Sequence, residues 1–311
     1  MLKSSDVVEI RYSKIHNNNV KKDIKIACLS DVHISRKTTK EDIAFIIYTI
    51  KKEKPDYIFL LGDIIDSYHL IDDSSVRNKL DSLMMKLATI SKVYFVLGNH
   101  DYIDYSEESK YKQGDKTRWD YYNIFNNIKL LNNETIEEKD IMITGYNEPY
   151  NIYHNRKDDA FRKDFINNNL DDINSNKPKI LLIHSPEPLD DSRNMELVKK
   201  YNIIISGHCH NGCVPSFLNK IWIPKHGGLI TSSKRLFPKN VRGIKKIKTG
   251  SYLIYNGGWR KISDGSNKYL KPFDKCFNRQ IDITTITNNK NVKDIKIYTR
   301  KYKKVKGELN D

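Results

Sequence analysis

Short apolar runs of five to seven residues recur along this chain, and turn residues or charges follow each of them. The runs are continuous rather than alternating, which is typical of strands covered on both faces. They predict strands at residues 24–30, 57–61, 93–97, 141–145, 179–183, 202–206, 251–256 and 280–286.

Apolar residues at helical spacing lie between the runs. This spacing predicts helices over residues 38–52 and 75–90, with Ser74 as the N-cap of the second. Helices are also predicted over 158–170 and 194–201. Strand–helix alternation in the first hundred residues indicates βαβ units and an α/β fold.

The chain reads as one domain over residues 1–290, followed by a charged C-terminal tail over residues 291–311. Residues 102–118 are polar and predict a loop or lid. Residues 225–248 form a strongly basic segment after the last of the motifs described below.

Acidic, amide and imidazole side chains follow five of the predicted strands directly. Because sites in α/β sheets form at the carboxyl ends of strands, we expect these side chains to lie close together. They are Asp31 and His33, Asp63 and Asp66, Asn99 with His100 and Asp101, His184, and His208 with His210.

These residue types make chemical sense as metal ligands. Carboxylates, neutral imidazoles and an amide oxygen suit Mn²⁺, Fe, Zn²⁺ or similar ions. Two such ions, about 3.5–4 Å apart, need a carboxylate that both can share, and Asp63 is the candidate. Taken alone, Asp31 and Asp63 would be helix N-caps, and His33 and His184 would be core histidines. Their joint occurrence favours a metal site.

Nearby residues have simpler interpretations. We interpret Asp66 as a cap or a support for a ligand rather than as a ligand. His69 matches no motif and is expected at the surface or the rim of a pocket. Cys209 and Cys213 are expected to pack against other residues. The four cysteines show no C-x-x-C spacing, so they predict no structural zinc site.

In order, the motifs DVH, GDIID, GNHD, a single His184 and GHCH resemble those of the calcineurin-like metallophosphoesterase family, over about residues 24–260. The resemblance is to its bacterial phosphodiesterase-like branch. It implies a four-layer α/β/β/α sandwich of two mixed β-sheets flanked by helices. One departure is Asn211-Gly212-Cys213 after GHCH, where the similar bacterial enzymes more often have a glycine pair.

The resemblance also implies roles for individual residues. Asp31, His33, Asp63 and His210 would hold one metal ion, and Asp63, Asn99, His184 and His208 would hold the other. His100 would act as a general acid or stabilise the phosphorus centre, and Asp101 would orient His100. A metal-bridging hydroxide would attack phosphorus in line.

Net charge is +15 at pH 7, with a pI near 9.4, which is typical of a protein that meets an anionic partner or has a lysine-rich surface. A small phosphorylated substrate is expected. Residues 225–248 predict either attraction of a phosphate or an anionic membrane surface, or a solvated basic loop. Phe237 is the one aromatic residue in that segment, which weakens a nucleic-acid interpretation. No obligate protein partner is evident.

The chain as given has no apolar leader and no stretch long enough to span a bilayer, so a cytoplasmic location is expected, peripheral at the membrane if the basic segment binds there. The predicted activity is hydrolysis of phosphodiesters or phosphomonoesters with two divalent metal ions. The alternatives are a nuclease acting on DNA or RNA, and a non-catalytic scaffold. The complete ligand set disfavours the scaffold.

Overall fold

A computed structural model describes residues 7–105, 112–155, 158–214, 226–230, 236–247, 250–260, 279–290, 292 and 296–303. The strands, in chain order, are β1 (Val7–His16), β2 (Ile24–Leu29), β3 (Tyr57–Leu61), β4 (Lys92–Val96), β5 (Ile103–Asp104), β6 (Lys112–Gln113), β7 (Ile128–Leu130), β8 (Glu134–Glu137), β9 (Met142–Tyr146), β10 (Lys179–Ile183), β11 (Ile203–Ser206), β12 (Gly243–Lys246), β13 (Tyr252–Tyr255), β14 (Arg279–Thr287) and β15 (Lys296–Lys303). The α-helices are α1 (Lys40–Glu53), α2 (Ser74–Ile90), α3 (Asn99–Tyr102), α4 (Tyr150–Asn155), α5 (Asp158–Asn167) and α6 (Ser192–Leu197).

Two mixed sheets form the centre of the fold. The first sheet has the order β15-β1-β14-β2-β3-β4-β7, and the second has the order β12-β13-β11-β10-β9-β8. Strands β2, β3, β4 and β7 run parallel, and so do β9, β10, β11 and β13. Antiparallel pairs lie at β14–β2 and β15–β1 in the first sheet, and at both edges of the second.

Three apolar layers hold the sheets and helices together. The middle layer lies between the sheets and joins side chains such as Phe59 of β3 and Leu182 of β10. The first sheet's other face packs against α1 and α2 through residues such as Ile46 and Leu83. The second sheet's other face packs against α5 through Phe165. This arrangement confirms the predicted four-layer α/β/β/α sandwich.

Helix starts follow local capping chemistry. Thr39 and Asp42 form a capping box at the start of α1. Asp73, rather than the predicted Ser74, is the N-cap of α2, because its carboxylate accepts hydrogen bonds from the amides of Ser75 and Val76. Ser74 is the first residue of that helix.

Two long strands of the first sheet were not predicted from the sequence. Strand β1 pairs with β14 on one side and with β15 on the other. Strand β15 lies inside the segment predicted as a charged tail, so that part of residues 291–311 is paired within the sheet. The boundary of the domain at residue 290 stays a prediction.

The two segments predicted as loops are partly described. Residues 102–118 include the small antiparallel pair β5–β6, whereas 106–111 lie outside the described residues. The basic segment contains β12 at the edge of the second sheet, and its Lys225, Lys234, Arg235 and Lys248 lie outside the described residues. Within the described part of the chain, none of the helices combines the length and apolar character needed to cross a membrane.

Candidate metal centre

All seven predicted metal ligands lie shortly after strands of the two packed sheets. Six of them are buried, and His210 is partly exposed. The first sheet supplies Asp31 and His33 after β2, Asp63 after β3 and Asn99 after β4, and the second supplies His184 after β10 and His208 and His210 after β11. Both sheets therefore contribute to one site at the carboxyl ends of their strands.

Asp31, His33 and His210 form one group of potential ligands, whose atoms all lie within 4.8 Å of one another. The Asp31 Oδ1 atom is 3.5 Å from His210 Nε2 and 4.0 Å from His33 Nε2. Atoms bound to one ion at about 2.1 Å lie roughly 3–4 Å apart. The three atoms therefore suit neighbouring positions around a single cation.

Asp63, His184 and His208 form a second group. Asp63 Oδ2 is 3.2 Å from His184 Nε2, and His184 Nε2 is 3.2 Å from His208 Nδ1. The same Asp63 Oδ2 is also 3.6 Å from His33 Nε2, in the first group. Asp63 thus stands between the two groups, where a carboxylate shared by two metal ions belongs.

Asn99 is the first residue of α3 and directly follows Gly98, where a Cβ atom would lie 2.8 Å from His184 Cε1. The next residue, His100, donates its backbone N–H to Asp63 Oδ1 at 2.8 Å. The buried atoms Asn99 Oδ1, Asp31 Oδ1 and His33 Nε2 have no hydrogen-bond partner among the described residues. Each such atom costs about 1–3 kcal/mol when it stays unsatisfied. Divalent cations would satisfy all three atoms, so the residues fit metal ions.

Neighbouring groups orient the ligands. The second oxygen of Asp31, Oδ2, accepts hydrogen bonds from the Ser30 hydroxyl and, at 3.1 Å, from the backbone N–H of His208. His184 Nδ1 lies 2.7 Å from the carbonyl oxygen of Leu61. These bonds occupy the outer atoms of both side chains and leave Asp31 Oδ1 and His184 Nε2 facing the centre.

Asp66 supports His33 from the outside. Its Oδ1 is 3.3 Å from His33 Nδ1 and 3.2 Å from Nη2 of Arg260. Burial works to raise the pKa of the Asp66 carboxyl, but the hydrogen bond with His33 and the charge of Arg260 outweigh burial and lower that pKa. A carboxylate on the outer nitrogen of an imidazole fixes the ring's tautomer and direction. Asp66 is thus placed where it could orient His33, and its supporting role stays a prediction.

The buried histidines differ in their pKa. Burial holds the pKa values of His33 and His208 well below the usual range, and it also lowers the pKa of His210. Burial thus favours the neutral form of these rings, which is the form in which imidazole binds a metal. Burial also opposes the charged form of His184, but the Asp63 carboxylate outweighs it and raises the pKa of His184 to about 10. A cation at Asp63 would compete with that proton.

The turns that carry the ligands have unusual backbone conformations. Five ligands have positive φ angles: Asp31 53°, His33 49°, Asp63 51°, His208 65° and His210 43°. Non-glycine residues adopt this left-handed region at a cost, and such residues cluster at functional sites. A Cβ atom on Gly98 would lie 2.3 Å from Asp63 Oδ1, so glycine is required where the β4 turn meets the shared carboxylate.

Asp101 differs from the prediction that it orients His100. Its carboxylate instead accepts the backbone N–H groups of Gly98, Ile64 and Ile65, at 2.9, 2.8 and 3.1 Å. Asp101 therefore ties the turn after β4 to the turn after β3. Burial, followed by the negative charge of the shared carboxylate, raises the pKa of Asp101 to about 7.

His100 is held by other groups. Its Nδ1 contacts the carbonyl oxygen of Asp66. Its ring lies edge-on to His33, with centroids 4.6 Å apart, and packs against Tyr105 at 4.5 Å. His100 therefore lies beside the proposed ligands, as predicted, and the role of His100 in catalysis stays a prediction.

Two residues at the centre were missed from the sequence. Tyr105 accepts a hydrogen bond from Asn99 Nδ2 at 2.8 Å. Arg260 Nη1 lies 3.3 Å from His33 Nδ1, and its side chain is 18% exposed. The Gly-Gly-Trp sequence before Arg260 could have indicated a tight turn near the site. Gly258 in this turn has a φ of 78° and lies against Asp31.

The remaining predictions concern residues outside the ligand groups. His69 Nδ1 lies 2.8 Å from Asp104 Oδ1, and the His69 side chain is exposed, in agreement with a surface position. Cys209 is buried and Cys213 is partly buried, as expected for packing residues.

Comparisons with known proteins identify relatives of this chain. A family model, calcineurin-like phosphoesterase, matches residues 24–212. A protein of Caenorhabditis elegans named as a metallophosphoesterase is 30% identical over 204 residues, which are 63% of this chain and 38% of that protein. An uncharacterized metallophosphoesterase of Campylobacter jejuni is 23% identical over 68% of this chain and 50% of its own length. The chain thus spans half or less of these relatives.

Among solved structures, the comparison finds a dimetal phosphatase from Danio rerio, which is 13% identical over 76% of this chain and 87% of that chain, with a TM-score of 0.40. GAP50, the anchor in the inner membrane complex of Plasmodium, is 15% identical over 94% and 88%, with a TM-score of 0.49. The family model covers more than half of the chain, and all seven proposed ligand positions lie within residues 24–212. The chain belongs to the calcineurin-like phosphoesterase family.

Proposed function

We propose that this chain is a metal-dependent hydrolase that cleaves phosphoric ester bonds, in diesters or monoesters, with two divalent metal ions. The observation that carries the proposal is the position of Asp63 Oδ2, 3.6 Å from His33 Nε2 and 3.2 Å from His184 Nε2. One carboxylate between two sets of imidazoles suits a site that holds two neighbouring metal ions.

The ligands divide between the two ions as the groups suggest. One ion would be held by Asp31, His33, Asp63 and His210, and the other by Asp63, Asn99, His184 and His208. When bound, the two ions neutralise the phosphate oxygens and lower the pKa of the water that serves as nucleophile. Mn²⁺ is the first ion to test, because the oxygen and nitrogen ligands tolerate Mn²⁺, Fe and Zn²⁺.

His100 is the candidate for proton transfer to the leaving group. The Asp66 carbonyl oxygen accepts a hydrogen bond from His100 Nδ1, which leaves Nε2 as the atom for the leaving-group oxygen. The contacts with His33 and Tyr105 hold the ring in place beside the ligands. A positioned acid of this kind contributes about 10²–10⁴-fold to a rate.

The positive charge of Arg260 favours an anionic substrate. Its guanidinium lies at the edge of the centre, beside His33 and Asp66, and part of the side chain is open to solvent. A fixed positive charge at that position attracts a phosphate group, and the net charge of +15 acts in the same direction over longer distances. A small phosphorylated compound is therefore the substrate class we propose.

Hydrolysis by the metal-stripped protein, before and after addition of Mn²⁺, tests the proposal. Bis-p-nitrophenyl phosphate reports diesterase activity and p-nitrophenyl phosphate reports monoesterase activity. Asp63→Asn removes the charge of the shared carboxylate. Asp72→Asn is the matched control, because Asp72 is a 65% exposed carboxylate paired with Arg118 on the surface.

Activity that returns with Mn²⁺, persists in Asp72→Asn and falls at least about 100-fold in Asp63→Asn is the expected result. A folded protein that binds metal but hydrolyses neither ester, and cleaves single-stranded DNA or RNA oligonucleotides instead, would favour the nuclease. A protein that purifies and remains without stoichiometric metal would favour the non-catalytic scaffold and refute the proposal.

A further inference from the structure

The amide of Asn99 has two ends that differ in what they can bind. Its Oδ1 is buried without a hydrogen-bond partner among the described residues, and its Nδ2 donates to the Tyr105 hydroxyl at 2.8 Å. Only the oxygen has a lone pair for a cation, since an amide NH₂ group is a donor. The oxygen, which is the atom that a metal ligand needs, is therefore the end of the amide without a donor among the described residues.

That orientation requires a partner for the nitrogen. Asn99 is 6% exposed, so an Nδ2 group without an acceptor would lose its water and gain nothing in return. The Tyr105 hydroxyl is the acceptor that the structure supplies on this side of the amide. Without it, turning Oδ1 toward the centre would leave a buried donor unsatisfied.

Tyr105 is itself held in place. Its backbone N–H donates to the Ser67 hydroxyl at 2.9 Å, which anchors it to the segment after Asp66. Its ring packs against His100 at a centroid distance of 4.5 Å. One side chain therefore contacts a proposed metal ligand through its hydroxyl and the proposed proton donor through its ring.

We propose that Tyr105 is a positioning residue of the metal centre: its hydroxyl satisfies Asn99 Nδ2 and so holds Asn99 Oδ1 toward the metal ion of the second group. The inference rests on the two-metal centre of the proposed function. Tyr105 touches neither metal nor substrate in this role, and acts through Asn99.

Tyr105→Phe isolates the hydroxyl, because phenylalanine keeps the ring against His100. The readout is Mn²⁺ titration of the metal-stripped full chain, followed by electron paramagnetic resonance, which separates a lone ion from a coupled pair. Groups that orient a metal ligand contribute about 10–100-fold to affinity. We expect one of the two binding steps to weaken about 10-fold, and the other to change less than about 2-fold.

Two further variants tie the effect to Asn99. Asn99→Ala should weaken the same step, and adding Tyr105→Phe to it should cost less than about 2-fold more, because nothing is left to position. Tyr201→Phe is the matched control. It removes a buried phenol hydroxyl that donates to the carbonyl oxygen of Leu170 at 2.7 Å, outside the ligand groups. Both of its binding steps should stay unchanged.

Unchanged binding in Tyr105→Phe would overturn the inference, and so would an equal loss with and without Asn99. Two tightly bound Mn²⁺ ions in a wild-type chain that hydrolyses no ester would refute the proposed function and leave the role of Tyr105 intact. A wild-type chain that binds no Mn²⁺, Fe²⁺ or Zn²⁺ would overturn both.

Discussion

Removing the Asp66 carboxylate should weaken one metal-binding step without removing either metal ion. Asp66 Oδ1 lies 3.3 Å from His33 Nδ1, on the far side of the imidazole from the proposed metal. It also pairs with Arg260 at 3.2 Å. In Asp66→Ala, the His33 ring loses the bond that sets its tautomer, and the guanidinium loses its carboxylate partner.

The expected size follows from these contacts. A hydrogen bond to a charged group contributes about 1.5–3 kcal/mol, and each 1.4 kcal/mol is about tenfold in affinity. Asp66→Ala should therefore weaken the ion held by His33 by about 10–100-fold, in line with other carboxylates that orient metal-bound histidines. Asp66→Asn keeps an oxygen acceptor for both neighbours and should cost about tenfold or less.

Mn²⁺ titration by calorimetry measures the affinity of each binding step, and metal analysis of the purified variants gives the number of bound ions. Asp72→Ala, at an exposed surface carboxylate, should leave both steps unchanged. His33, Asp66 and His100 also bring ligand atoms within 4.8 Å of one another, so direct ligation by Asp66 is the competing interpretation. A drop from two ions to one in Asp66→Ala, or unchanged affinity, would refute a supporting role.

Arg260→Ala should raise KM about tenfold with kcat changed less than about 3-fold, because it removes a charge that attracts the phosphate group; steady-state kinetics check this, and a loss confined to kcat would contradict it. Burial, opposed by the charges of nearby carboxylates, lowers the pKa of Lys116 to about 8. The unfolded chain keeps this proton up to about pH 10, so it binds more protons than the folded chain between these values. The wild-type free energy of unfolding should then rise by about 1–2 kcal/mol relative to that of Lys116→Met between pH 8 and pH 9.5. Urea unfolding at several pH values measures both free energies, and the same pH dependence in the two proteins would contradict this prediction. Leu236 and Phe237 are 66% and 73% exposed within the basic segment. If this segment binds anionic membranes, replacing both residues by serine should lower binding to phosphatidylserine vesicles about tenfold. Phosphatidylcholine vesicles are the control. Equal binding of the variant and the wild type would show that these two side chains do not contribute to membrane binding.

The parts of the fold that local patterns determine were predictable. Strands such as β3 and β10 are apolar along their whole length because both faces are covered, and their positions follow from that pattern alone. The ligands could be found because each stands directly after such a strand. The start of α2 was misplaced by one residue because Asp73 and Ser74 are both capable of capping, and geometry decides between them.

Other features depend on contacts between distant segments. Strand β1 contains Arg11, which is buried because it pairs with Asp282 at 2.6 Å, 271 residues further along the chain. A strand with charged residues gives no apolar run, so the sequence pattern does not reveal it. Arg260 and His33 are 227 residues apart and meet only in the folded chain. The cytoplasmic location stays a prediction.

The departure from a glycine pair after GHCH is compensated within the fold. Asn211 has φ 54° and ψ 26°, in the left-handed region that asparagine adopts more readily than most residues. Its Nδ2 donates to Gln280 Oε1 at 2.8 Å, and Gln280 donates in turn to Asp282 at 2.6 Å. Gly257 makes room, since a Cβ atom there would lie 2.0 Å from Asn211 Nδ2. The hydrogen bond from the Asn211 side chain to β14 thus stabilises a left-handed turn that glycine would adopt without strain. The imidazole of His210 still reaches the first ligand group.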